Sequence, residues 1–131
     1  MAKISFQQNP TFKVDVQIPR LGAQAVKVPF VFNYFNRDQM AEFSDAEIAY
    51  GKEIKELLES EESPTVKEFS AKAEEFQVEQ IKKIVSSWGF SEELSDDSIS
   101  ALVRSSVAVP AAILEAFKGS YNKAREGNLQ A

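Results

Sequence analysis

The residues whose types and spacing invite a chemical reading are the paired acids Glu61-Glu62, Glu74-Glu75, Glu92-Glu93 and Asp96-Asp97. Two carboxyl groups that converge on one point can exchange a proton with a substrate or hold a divalent cation. Neighbours in sequence point in different directions on a helix, so none of these pairs forms such a dyad. The 131 residues include no His and no Cys. A His-based triad, a Cys nucleophile and the usual zinc site are therefore out of reach. Gly22, Gly51, Gly89, Gly119 and Gly127 are isolated, so there is no glycine-rich phosphate loop. No catalytic, cofactor-binding or metal-binding residue is assigned, and the expectation is a protein that is not an enzyme.

What remains is apolar contact area. Ten Phe, three Tyr and one Trp stand in the chain. Phe12, Phe30, Phe32, Phe69, Phe76 and Trp88 fall on regular stripes and are expected in the core. Phe35, Met40, Phe43, Phe90 and Tyr121 sit where stripes end or faces change. Two or three of them exposed together would mark a partner surface. Phe90, Phe117 and Tyr121 are the candidate contact residues for a partner or a second copy, with Phe117 better suited to sealing the space between the last two helices.

The elements that must position these residues follow from periodicity. Phe12, Val14, Val16 and Ile18 alternate with Lys13, Asp15 and Gln17, a half-buried strand closed by Pro19. After a connector at residues 20–24, Val26, Val28, Phe30 and Phe32 alternate with Lys27, Pro29 and Val31, completing an antiparallel hairpin. Pro29 cannot donate to a ladder, which predicts an open edge near it. Asn36 with Gln39 predicts a short helical turn through Phe43, and Ser44 with Glu47 a capping box that opens a separate helix. Thr65 with Glu68 opens the longest helix, expected to run about six turns through Trp88 to Gly89. Either Gln80 or Ile81 fits its apolar stripe. Ser95 caps a third helix, with Asp96 and Asp97 complementing its dipole. A fourth opens near Pro110. The fold class expected is α+β, an N-terminal antiparallel β-hairpin packed against a bundle of about four α-helices. Residues 1–131 form one domain in this reading, with 1–10 and 126–131 as flexible ends.

Charge is unevenly spread. The net charge is −5, yet residues 44–79 carry four basic and eleven acidic side chains while residues 1–43 carry five and three. An acidic middle with no basic stripe argues against nucleic acid and against an anionic membrane surface. No apolar run approaches the ~20 residues that span a bilayer, and the absence of Cys makes a cytoplasmic setting the default.

Trp88-Gly89-Phe90, an acidic loop with Leu94, Ile99-x-x-Leu102, and then Pro110-Ala111-Ala112-Ile113 with Phe117 and Tyr121 follow the hairpin and acidic helices in order. In this succession the chain resembles the tail assembly chaperones of long-tailed, siphovirus-type bacteriophages, most closely over residues 78–121. It departs from the family pattern at Val109, where an aromatic often precedes the Pro. The resemblance implies a protein of the infected host cytoplasm, absent from the mature virion. It implies a multimer that keeps the tape measure protein soluble during tail assembly. It also implies a longer form of the same protein, made by ribosomal frameshifting, that recruits the tail tube protein. The alternative is a minor structural or tail-completion protein of the virion. A helix-turn-helix reading of residues 96–121 fails because Pro110-Ala111-Ala112-Ile113 offers no side chain able to read base edges.

Overall fold

The computed structural model describes residues 3–125, the side chain of residue 125 excepted; Glu126 to Ala131, expected above to be a loose tail, lie outside the described residues. Strand β1 (Thr11–Arg20) and strand β2 (Ala23–Asn33) pair antiparallel from Thr11–Asn33 to Arg20–Ala23. Only Leu21 and Gly22 turn between them, fewer residues than the connector expected, and Gly22 takes φ +75°, where a Cβ is unwelcome. Pro19 does not close β1. It sits at a register irregularity between Ile18 and Arg20, where its missing N–H leaves no rung unmade.

Helix α1 (Arg37–Glu59) is a single 23-residue helix. Asn36 caps it, its side chain accepting from the Gln39 amide at 2.9 Å while Gln39 accepts from the Asn36 amide at 2.9 Å. The separate helix expected from Ser44 does not exist. Once Asn36 has nucleated the helix, nothing between Phe43 and Ser44 breaks it, and Ser44 becomes an exposed mid-helix residue. Helix α2 (Val66–Ile84) begins as expected at the Thr65–Glu68 capping box. It ends four residues early, and Val85–Trp88 forms a third strand, β3, on the free side of β2. Phe30 pairs with Trp88 and Val31 with Ser87, and the Gly89 amide donates to the Pro29 carbonyl at 2.8 Å. The pattern Ile81, Ile84, Val85, Trp88 suits a helix, but the unpaired edge of β2 offers this segment a ladder that satisfies backbone groups on both sides. β3 stops level with Pro29, leaving that flank of β2 open from Ala23 to Val28.

Helix α3 (Asp96–Ser105) starts at Ser95, whose hydroxyl accepts from the Ser98 amide at 3.1 Å. Helix α4 (Ala108–Arg125) carries Pro110 as its third residue, among the first-turn positions whose N–H has no partner inside the helix. The expected architecture, a hairpin against four helices, thus stands with one strand added. One face of the sheet supplies Val16, Ile18, Val28, Phe30 and Phe32 to the core. Ile81 and Ile84 of α2, Ile99 and Val103 of α3, and Ile113 and Phe117 of α4 cover it. Phe69 and Phe76, expected in this core, are only half-buried and lie outside it.

Two outcomes follow. A Cβ on Gly89 would stand 2.6 Å from Cγ and 2.7 Å from Cδ of Pro29, and 3.2 Å from its carbonyl oxygen. Gly89→Ala should cost about 1–3 kcal/mol by overpacking against a rigid ring, read as a lower urea midpoint. The Glu68 carboxylate is held below its ordinary 4.5 by the Thr65 amide first and the Thr65 hydroxyl second. A depressed folded value means that its contribution is present above pH 4.5 and fades as pH falls through the lower value. The urea midpoint of Glu68→Ala should therefore lie below that of wild type at neutral pH, and the gap should narrow in acid.

Candidate partner-binding surface

Concavities open on each side of α1. The first lies between α1 and α2. Phe43 is the one buried residue of α1, and beyond it Ala46, Tyr50, Ile54 and Leu57 are half-buried on one stripe. Across from them stand Lys72, Phe76, Gln80 and Lys83 of α2, enclosing a cleft of about 450 Å³. The rings of Tyr50 and Phe76 stack across it with centroids 4.3 Å apart and planes 7° from parallel. Lys72 reaches Glu53 at 3.3 Å, a second bridge between the two helices. This pair is about half-exposed, so it orients more than it stabilises. Burial raises the Tyr50 phenol above its ordinary value, Glu53 adds to the rise and Lys72 opposes it. The phenol therefore stays neutral at physiological pH.

At the floor of this cleft is Gln80, 1% exposed. Its Oε1 accepts weakly from Lys83 Nζ at 3.5 Å, while its Nε2 has no partner. A buried amide donor without an acceptor is costly. Gln80 occupies this place because α2 turns both Gln80 and Ile81 inward, towards the cleft and the core respectively. The stripe alone had left those two as alternatives. The cleft is rimmed by Glu53, Glu75 and Glu79, within the segment that carries eleven acids against four bases. Its chemistry is that of contact: an apolar wall edged by Glu53, Glu75 and Glu79 together with Lys72 and Lys83.

The second concavity, about 330 Å³, is lined by Tyr34, Phe35, Met40, Ala41 and Tyr121, with Asn36, Arg37 and Ser44 at its margin. Tyr121 Oη accepts from the Phe35 amide at 2.8 Å and donates to nothing among the described residues. The Tyr34 and Tyr121 rings lie 6.0 Å apart at 29°. Burial raises the Tyr121 phenol, and the Phe35 amide partly offsets that rise.

Of the three aromatics singled out as contact residues, Phe117 and Tyr121 meet at 5.2 Å while Phe90 stands apart from them. Phe117 is 0% exposed, at the centre of the core, and presents no area to a partner in this fold. Phe90 packs edge-on against Phe30 at 5.7 Å and Trp88 at 5.1 Å. Tyr121 lines the second concavity. Of the residues at stripe ends, Phe35 and Met40 join Tyr121 there, while Phe43 is buried. Periodicity missed the cleft because Tyr50, Phe76 and Gln80 read as ordinary helix positions until two helices face each other.

Among the described residues no single helix is long and apolar enough to cross a membrane. Fold and surface define a small α+β protein whose concave features are built for apolar contact rather than for convergent acid–base chemistry. The family model described as phage tail assembly chaperone matches residues 1–128, and the chain belongs to that family. Membership suggests a non-enzymatic role and proteins of the tail as partners. No curated protein and no solved structure matches the chain.

Gln80→Met keeps the volume while deleting the unpartnered donor. It should leave stability unchanged or raise it by about 1 kcal/mol, measured by urea unfolding. A loss of 2 kcal/mol or more would mean that the amide is satisfied.

Proposed function

We propose that this protein binds the tape measure protein of its phage and keeps it soluble in the host cytoplasm while the tail is built. It acts as a multimer and is left out of the finished virion. A longer, frameshifted form of the same protein brings in the tail tube protein. Family membership supports the chaperone role, and one structural observation supports the mode of holding: the α1–α2 cleft with its stacked Tyr50–Phe76 pair, set in the acidic part of the chain. A helix laid in a groove contributes apolar side chains at each turn. From Lys72 to Lys83 the cleft runs about 16 Å along α2, close to three turns of such a helix. The surrounding acids keep the loaded complex soluble by self-repulsion and favour a client with basic flanks.

Co-expression tests this reading. The soluble fraction of the tape measure protein should rise several-fold, and the two proteins should co-purify. Phe76→Lys, which puts a charge on the apolar wall, should lose most of that gain. An unchanged soluble fraction with the wild-type chain would end the proposal. Recovery of the protein from purified virions by mass spectrometry would favour a structural tail component instead.

A further inference from the structure

Residues Lys3 to Asn9 have no regular structure, and the large apolar side chains among them, Ile4 and Phe6, are each 98% exposed. Leu21, Val66 and Val107 are also bare, but each stands alone. Ile4 and Phe6 are two residues apart, so in an extended segment they share one face while Ser5 and Gln7 take the other. Such an arm leaves two large apolar groups in water unless something receives them.

A receiver lies at its root. The Pro10 carbonyl accepts from the Tyr34 amide at 2.9 Å, and Tyr34 is one wall of the second concavity. The other walls are Phe35, Met40, Ala41 and Tyr121. At about 330 Å³ the pocket has room for one or two apolar side chains. The free O–H of Tyr121 can donate to a carbonyl of an incoming extended segment, since its oxygen already accepts from Phe35.

Chain geometry decides whose pocket it is. Pro10 has a fixed φ and biases Asn9 towards extended backbone, and Ile4 and Phe6 stay exposed and do not line the pocket of their own chain. Four extended residues set Phe6 about 13 Å beyond Pro10. Gln7-Gln8-Asn9 contains no glycine to reverse the path. Charge disfavours the other face: residues 44–79 carry eleven acids against four bases, so the α1–α2 face would repel its own copy.

We propose that the arm of one copy seats Ile4 and Phe6 in the Tyr34–Tyr121 pocket of a second copy. The arm and the pocket are different surfaces. The contact therefore closes as a reciprocal exchange between two copies, or passes from copy to copy around a ring. This inference rests on the multimer in the function proposed above and names the contact that makes it.

The natural chain has no Cys, which permits a direct test. Full-length Phe6→Cys and Ala41→Cys proteins are oxidised separately and as a mixture, then run on a non-reducing gel. The mixture should give a two-chain band containing one of each variant, well above the self-linked background of either alone. Separately, the Ile4→Ser/Phe6→Ser double variant should keep the wild-type circular-dichroism spectrum while its mass by light scattering falls to one chain. Absence of the mixed band would overturn the proposal. So would a double variant that keeps the wild-type multimer mass, a result that leaves the multimer itself standing. A double variant whose circular-dichroism spectrum loses helix or strand would place the arm inside the fold of its own chain and overturn it too. A wild-type protein that scatters as a monomer at micromolar concentration would remove both the multimer and the arm contact.

Discussion

The structure depends on the burial of one ring. Phe117 of α4 meets Phe12 of β1 at 6.2 Å, Phe32 of β2 at 5.5 Å and Phe43 of α1 at 5.6 Å. It also meets Phe35, in the link between β2 and α1, at 5.3 Å, and Tyr121 on its own helix at 5.2 Å. Most of these pairs are edge-on or tilted, the arrangement that suits ring quadrupoles. Through this contact the last helix closes over the hairpin, and α1, which has no other fully buried anchor than Phe43, is fastened to the body. The Glu47–Lys118 ion pair lies beside it, one turn along α1 from Phe43.

That single anchorage explains why the concave features sit where they do. α1 is held at its N-terminal half and continues as far as Glu59 beside α2. Away from the core, the two helices meet through the Tyr50–Phe76 stack and the Lys72–Glu53 pair. A helix pair joined this way has a seam but no sealed interior, and the cleft with Gln80 at its base is the result. On the other side of the anchor the chain turns from β2 into α1, and the Tyr34–Tyr121 pocket opens in the angle. The rim of the cleft is acidic and the end that carries the arm is not.

Much of this was legible from local pattern. The two hairpin strands show in strict alternation, and the caps at Thr65 and Ser95 show in side chains that satisfy helix amides within three residues. The same rule misfired at Ser44, because a capping signature is only a licence to begin a helix and an upstream Asn36 had already begun one. β3 was hidden for a different reason. Val85 to Trp88 carry a helix-compatible stripe, and their choice of strand depends on an edge of β2 more than fifty residues away.

Taken alone, the sequence determined the α+β class, the hairpin and the four helix-forming stretches, and it ruled out His and Cys chemistry. These are properties of composition or of spacing within a few residues. Only the tertiary structure decided that Phe117 is interior while Tyr121 lines a pocket, that Gln80 is buried alongside Ile81, and that Pro29 lies on a strand paired along its whole length on one side and only from its own position onward on the other. Exposure and edge position depend on which distant segment packs against a residue. Periodicity gives the face on which a side chain lies, but not what covers that face.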